Sequence, residues 1–244
     1  MTRKLTDHKV LTFDCYGTLI DWETGIWDAM QPLLAANGGD VITREPALLA
    51  FAELESAQQA ATPGMLYPEL LSRVHVDFAA RFGLETTAEL DAAFGGSIGH
   101  WPAFPDTADA LRVLKKHFKL VILSNVNRAG FAASNRKLGV EFDAIYTAED
   151  VGSYKPDPAN FAYLLTHLDA DLGLKPEDVL HTAQSLFHDH VPARDAGLDR
   201  AWIDRQGLSE GGSWGATAVV ADRPDVHFLY PSMGAMAAAV AAES

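Results

Sequence analysis

A chain of 244 residues, of which 48% are hydrophobic and 21% charged, can bury a full core as one large domain or as a domain with an insertion. Its net charge of −14 argues against nucleic acid or an anionic membrane as a partner, and an anionic substrate would need a local positive site. One cysteine cannot form an intrachain disulfide, and neither a signal peptide nor a membrane-spanning apolar run is present, so we expect a cytoplasmic protein.

The first predicted element is a buried strand that begins at Val10 and ends at Phe13. Asp14 follows directly, and a glycine-containing turn, Gly17 and Thr18, comes three residues later. Open α/β sheets bind their ligands at such strand ends. A lone aspartate here would more simply cap a turn, so the functional interpretation of Asp14 depends on the stretches downstream.

Four helices without an intervening strand are predicted next, because apolar residues recur at three- and four-residue spacings. Glycine- and proline-containing breaks separate these helices, which we predict over residues 21–37, 43–60, 67–82 and 87–94. The sequence therefore predicts a helical domain over residues 21–97. It interrupts a second domain made of residues 1–20 and 98–244.

From residue 101 onward, strands and helices alternate. The predicted strands cover residues 120–123, 144–146, 179–183 and 201–203, with helices at 106–118, 158–168 and 192–196 and a helix end before Gly139. Gly211-Gly212-Ser213 is predicted as a loop, and a short edge strand near 227–229 and an alanine-rich helix complete the chain. Strands separated by helices predict the α/β class with a doubly wound parallel sheet.

Four motifs, in order and at the expected spacing, carry a family resemblance. DCYGT at Asp14–Thr18 resembles the first motif of the haloacid dehalogenase superfamily, in which the leading aspartate is a covalent nucleophile. Ser124 in LVILSN matches the second motif, Lys155 in SYKPDP the third, and Asp189 in VLHTAQSLFHDHVPARDAG the fourth. The resemblance covers residues 9–205 and implies a Rossmann-like core with an inserted helical cap.

Within that superfamily the chain resembles the 2-haloacid dehalogenase branch. Phosphatases carry an acid two positions after the nucleophile, where this chain has Tyr16, and a magnesium-binding aspartate in the region of Gln184, Ser185 and Leu186. A halide leaves without a proton, so the missing acid suits dehalogenation. The resemblance therefore implies a small anionic 2-haloacid as substrate and no metal or other cofactor.

The roles implied by the resemblance form a two-step reaction. Asp14 displaces halide and becomes an ester, which water activated by Asp189 then hydrolyses. Lys155 keeps Asp14 ionised and offsets negative charge. His188 either assists the water or binds halide, or is simply a hydrogen-bonded histidine at a strand end. The residues expected to bind or position substrate are Tyr16, Thr18, Ser124 and Asn125.

Several features depart from that branch and leave alternatives open. The second cap helix, FAELESAQQ, has no arginine where the family binds the substrate carboxylate, and only Arg44 and Arg73 are nearby. The fourth motif also lacks the Ser-Ser-Asn run of the common dehalogenases. A phosphatase or hydrolase of another small anionic metabolite, a non-catalytic binding protein and a homodimer all stay open.

A thiol nucleophile is a further alternative, because Cys15 could pair with His188. Successive side chains along an extended segment point to opposite sides, so if Asp14 faces the site, Cys15 faces the core. The sequence leaves the halide, the chain length and the enantiomer of a 2-haloacid substrate open.

Overall fold

The computed structural model describes residues 3–39, 41–212, 216 and 220–243. Its centre is a six-stranded sheet in which every pair of neighbours is parallel and the strand order is 3-2-1-4-5-6. The strands are β1 Val10–Phe13, β2 Lys119–Ser124, β3 Ala144–Thr147, β4 Val179–Ala183, β5 Asp199–Ile203 and β6 Phe228–Tyr230. The predicted α/β class and doubly wound parallel sheet are therefore confirmed.

Ten α-helices connect or flank these strands within the described residues. They are α1 Trp22–Ala36, α2 Arg44–Ala61, α3 Tyr67–Phe82, α4 Ala88–Gly95, α5 Thr107–Leu114, α6 Arg128–Leu138, α7 Ala148–Val151, α8 Ala159–Leu172, α9 Val191–Asp195 and α10 Met233–Glu243. Short 3₁₀ turns lie between several of them, and a π-helical turn, Leu186–His190, follows β4. None of the helices described is both long and apolar enough to cross a membrane.

The predicted elements match these with a few differences. Helix α5 ends at Leu114 rather than near Phe118, and α8 extends to Leu172, where Gly173 takes up a left-handed conformation with φ of +65°. Helix α7 was not predicted, because a single turn of helix is too short to show a periodic apolar pattern. Gly211 and Gly212 lie outside helices and strands, as predicted, whereas Ser213 is outside the described residues.

Strand β1 occupies the middle of the sheet, between β2 and β4. All four of its residues are buried, because helices cover both faces of a doubly wound sheet. The chain runs outward from β1 through β2 and β3 on one side and through β4, β5 and β6 on the other. This reversal of strand order leaves a crevice at the carboxyl ends of β1 and β4, where open α/β sheets bind ligands.

Helices α1 to α4 all lie between β1 and β2 in the chain and form a helical insertion. Helix α1 begins after Asp21, whose carboxylate accepts the backbone N–H of Thr24 at 3.1 Å. The buried aromatic residues Phe51 and Phe94 of the insertion belong to the same apolar cluster as Phe13 of β1. One continuous core therefore joins the insertion to the sheet.

We expect Gly25→Ala to destabilise the fold, because α1 approaches the buried ring of Trp101 at this glycine. A Cβ added to Gly25 would lie 2.2 Å from Cγ of Trp101, which is 1% exposed. Overpacking of this kind costs about 1–3 kcal/mol, more than the roughly 0.5–1 kcal/mol that alanine gains over glycine inside a helix. Urea unfolding should show a lower free energy of unfolding.

Gly64→Ala is the matched control, since a Cβ at that position would meet nothing within 4 Å. Its unfolding curve should stay close to that of the native chain. Equal stability of the two variants would contradict the close packing of α1 on Trp101.

Candidate active site

Asp14 lies immediately after the central strand β1 and is 6% exposed. Both of its carboxylate oxygens accept hydrogen bonds: Oδ1 from the Lys155 ammonium at 3.0 Å and Oδ2 from the Thr18 hydroxyl at 2.9 Å. The turn at Gly17, with φ of +95°, brings Thr18 back onto Asp14, a backbone conformation that favours glycine. The carboxylate is therefore fixed in orientation at the end of the strand.

Lys155 is the second member of the site, and its side chain is 1% exposed. Its ammonium donates to Asp14 Oδ1 at 3.0 Å, to Asp189 Oδ1 at 2.6 Å and to the carbonyl oxygen of Leu123 at 3.0 Å. An ammonium has three N–H donors, so all of them are engaged within the protein. Asn125 holds the backbone of Lys155 through two hydrogen bonds of 2.7 and 2.9 Å.

Asp189 completes a buried trio with Asp14 and Lys155. It lies on the π-helical turn after β4, a type of distortion that is frequent at functional sites. Its Oδ1 also accepts a hydrogen bond of 3.0 Å from Nε2 of His181. Its Oδ2 is buried and accepts no hydrogen bond from any described residue, so its capacity as an acceptor is not used by that part of the protein.

His181 on β4 was not predicted from the sequence as part of the site. A carboxylate only accepts, so Nε2 carries the hydrogen given to Asp189, and Nδ1 accepts from the Thr12 hydroxyl at 2.9 Å. Thr12 faces His181 because β1 and β4 pair in that register. Burial lowers the pKa of His181, which keeps this ring neutral and able to serve both partners.

The three charges of the trio set one another's protonation. Burial raises the pKa of Asp14, a change opposed by the Lys155 charge and reinforced by Asp189. Burial would also raise the pKa of Asp189, but Lys155 and His181 outweigh it and hold this pKa well below the usual range. The two carboxylates raise the pKa of Lys155 despite its burial. Asp14 is therefore the member that protonates first as the pH falls.

A cavity of about 70 Å³ separates the trio from the helical insertion. Since a cavity needs about 10–15 Å³ to hold one water molecule, this volume has room for roughly five to seven waters. Six of the eight predicted site residues line the cavity: Asp14, Tyr16, Asn125, Lys155, His188 and Asp189. Thr18 and Ser124 do not. Thr18 instead orients Asp14, and the buried Ser124 hydroxyl finds no hydrogen-bond partner among the described residues.

The remaining candidates differ in what their polar atoms contact. Nδ1 of His188 lies 3.1 Å from the Ser185 hydroxyl, and burial lowers the pKa of His188 to about 4, so the ring is neutral at pH 7. The Tyr16 hydroxyl shares a hydrogen bond of 2.9 Å with Ser134. Cys15 is fully buried in the apolar core, and burial raises the pKa of its thiol well above the ordinary value. This geometry gives no support to a thiol nucleophile.

The donors at this site do not fit a magnesium ion. Asp189 is held by an ammonium at 2.6 Å, and the same π-helical turn begins with the buried Leu186 in the region where a phosphatase has a carboxylate. Across the part of the chain that the structure describes, no group of three or more His, Cys, Asp or Glu side chains could hold a metal ion. Hard cations such as magnesium require several oxygen ligands.

Comparisons with known proteins agree with this fold and these motifs. Residues 8–182 match the haloacid dehalogenase-like hydrolase family, and the chain belongs to it. The (S)-2-haloacid dehalogenase 4A of Burkholderia cepacia is 29% identical over 206 residues, which cover 82% of this chain and 84% of that protein. The (S)-2-haloacid dehalogenase of Pseudomonas putida is 26% identical over 201 residues, covering 80% of this chain and 84% of that protein.

A solved structure has the same fold over nearly the whole chain. The L-2-haloacid dehalogenase of Xanthobacter autotrophicus, with chloropropionic acid covalently bound, is 19% identical and superimposes with a TM-score of 0.78. The match covers 97% of this chain and all of the other. The fold therefore includes the helical insertion as well as the sheet.

We expect Lys155→Met to destabilise the protein in a pH-dependent way. Removing one partner of a buried ion pair costs about 3–5 kcal/mol, because the remaining charge is left unpaired. Without the ammonium, burial and mutual repulsion raise the pKa of both Asp14 and Asp189 above their unfolded values. Such groups stabilise the fold when protonated and lose that contribution as the pH rises through the folded pKa.

The loss of unfolding free energy in Lys155→Met should therefore be larger at pH 8 than at pH 5, measured by urea unfolding at both. Lys175→Met is the control, since Lys175 is exposed and pairs with Asp169 at the surface, where ion pairs contribute about 0–1 kcal/mol. A uniform loss at both pH values would contradict a charge-based role for Lys155.

Proposed function

We propose that this chain hydrolyses the carbon–halogen bond of a small 2-haloalkanoic acid, through an ester formed on Asp14. The carboxylate of Asp14, which Lys155 and Thr18 hold in one orientation beside a small cavity, supports this proposal most directly. The named activities of the relatives, which are 2-haloacid dehalogenases, point the same way. An intact trio of Asp14, Lys155 and Asp189 also argues against a purely binding role.

In the first step, a carboxylate oxygen of Asp14 attacks the carbon that bears the halogen. The new bond joins that oxygen to carbon, and the halide leaves with the electron pair of the broken bond, so no proton is needed. A step that needs no proton suits this site, because Tyr16 occupies the position of the phosphatase acid. The Tyr16 hydroxyl shares a hydrogen bond with Ser134. Lys155 keeps Asp14 ionised through its hydrogen bond of 3.0 Å.

In the second step, water attacks the carbonyl carbon of the Asp14 ester. Asp189 Oδ2, which accepts no hydrogen bond from the described residues, takes the proton of that water. Lys155 stabilises the negative charge that develops on the carbonyl oxygen. Collapse of the intermediate frees the Asp14 carboxyl group, and the departing alkoxide takes the proton from Asp189 to give the 2-hydroxy acid. Asp14 returns to the carboxylate by releasing the second proton of the water to solvent. Hydrogen bonds from His181 and Lys155 hold Asp189 in place.

The helical insertion acts as a cap in this proposal. Its side of the cavity closes over the strand ends, which limits the access of water during the first step. We propose boundaries at residues 21–97 for the cap and at 1–20 plus 98–244 for the core. No step involves a metal ion, in line with the poor fit of the donors to magnesium.

Asp14→Asn should abolish halide release while the fold survives, because asparagine has nearly the same shape but is a poor nucleophile. Loss of a nucleophile lowers turnover by about a thousandfold or more. Halide release from 2-chloro and 2-bromo acids and their amides, assayed in EDTA, is the measurement. Wild-type turnover should persist in EDTA, and melting curves serve as the check on folding.

Intact-mass measurement excludes deamidation of the new asparagine. Appreciable residual turnover in an undeamidated sample would assign the nucleophile to another residue. Loss of wild-type activity in EDTA, restored by magnesium, would contradict the metal-free mechanism.

Asp189→Asn should slow hydrolysis of the ester far more than its formation. A general base contributes roughly a hundred- to ten-thousand-fold, so the variant should release about one halide per active site and then stall. Rapid-quench measurement of halide gives the size of this burst, and mass spectrometry should locate the dehalogenated acid on the peptide that contains Asp14. A slow first halide without an adduct would instead place Asp189 in substrate binding or nucleophile activation.

A further inference from the structure

Among the described residues, the side of the cavity formed by the helical insertion, called here the cap side, carries no basic side chain. Helix α2 lines it with Ala52, Glu55, Ser56 and Gln59, whose spacing puts them on one face of the helix. Lys155 is the single basic side chain among the described residues of the lining, if the neutral His188 is set aside. All three of its N–H donors are engaged by Asp14, Asp189 and the Leu123 carbonyl, so none is left for a substrate carboxylate.

The net charge around the cavity is negative before any ligand enters. Asp14 and Asp189 together outnumber Lys155 by one charge, and Glu55 adds a third carboxyl group. A carboxylate ligand would bring a further negative charge into a largely buried space without a cation to pair it. Burial of an unpaired charge is strongly unfavourable, whereas an uncharged polar group needs only hydrogen bonds.

The cap side offers those hydrogen bonds. The Tyr67 hydroxyl donates to Oε1 of Glu55 at 2.5 Å, which fixes the carboxyl group and leaves Oε2 as an acceptor. Gln59, which is 7% exposed, carries both an amide donor and an amide acceptor, and Ser56 adds a hydroxyl. Burial raises the pKa of Glu55 to about 7, against the effect of the Tyr67 hydrogen bond, so the group is largely ionised at pH 8.

We propose that this cavity takes a small 2-halocarboxamide in preference to the corresponding 2-haloacid anion, with Glu55 accepting an amide N–H. The inference rests on the proposed function and narrows its substrate: the same carbon–halogen bond is broken, and the 2-haloacid anion is the poorer of the two substrates. Asp14 oxygen bonds to the carbon, the halide leaves with its electron pair, and hydrolysis of the ester yields the 2-hydroxyamide. The carbon–nitrogen bond of the amide is untouched.

The first test compares kcat/KM for halide release from 2-chloroacetamide and from 2-chloroacetate at pH 8. The wild type should favour the amide by at least about tenfold, the change expected from one unfavourable charge contact. Glu55→Arg should reverse the preference, because it places a cation on the cap side of the cavity. A wild type that favours 2-chloroacetate would overturn the proposal.

Glu45→Arg is the matched control, with the same change of charge on an exposed position of the same helix outside the cavity. It should leave the preference for the amide unchanged. Equal shifts in the two arginine variants would assign the preference to the overall charge of the protein and overturn a role for Glu55. If Glu55→Arg fails to fold, Glu55→Gln takes its place and should reduce the preference by removing the negative charge.

Binding of the halogen-free pair, propionamide and propionate, separates the inference from the proposed function. Ligand-detected NMR on the wild type should show tighter binding of propionamide, and the difference should be lost in Glu55→Arg. No halide release from either chloro compound, with propionamide still preferred, would overturn the proposed reaction and support the charge selectivity of the cavity. Tighter binding of propionate would overturn the inference whatever the turnover.

Discussion

One buried ammonium shared by two buried carboxylates is the constraint on which the site depends. Lys155 contacts Asp14 at 3.0 Å and Asp189 at 2.6 Å, and each of these side chains is at most 8% exposed. Two carboxylates this close would not both stay ionised without the cation. The two carboxyl groups differ as a result, since the pKa of Asp189 is held well below its usual range while that of Asp14 is raised.

The sheet supplies the positions that this arrangement requires. Asp14 directly follows the central strand β1, Leu123 on β2 accepts a hydrogen bond from Lys155, and His181 on β4 donates one to Asp189. Because β1 lies between the other two strands, their carboxyl ends meet at the reversal of strand order. The helical insertion begins with α1, a few residues after Asp14. The turn at Gly17 therefore both orients the Asp14 carboxylate and leads the chain into the helices on the other side of the cavity.

Much of this could be predicted from the sequence, and the exceptions have physical reasons. Helix α3 was predicted with its observed ends, because its apolar residues are strictly periodic and Gly83 takes up the left-handed conformation that ends it. The proximity of Asp14, Lys155 and Asp189 was predictable, because each belongs to a sequence motif that lies at a strand end or in a loop. The contact of His181 with Asp189 was not predictable. A single histidine within a buried strand is usually a packed core residue, and only the pairing of β1 with β4 shows that His181 lies opposite Thr12. The face of α2 that Glu55 occupies is likewise fixed only by tertiary packing.

In the proposed reaction, Asp14 carries the organic group as an ester and water attacks the carbonyl carbon of Asp14. A single turnover in H₂¹⁸O, with the enzyme in excess over a 2-halo substrate, tests this directly. We expect heavy oxygen in the carboxylate of the Asp14 peptide and ordinary oxygen in the released hydroxy product. Heavy oxygen in the product, with an unlabelled Asp14 peptide, would show that water displaces the halide itself and would contradict the account.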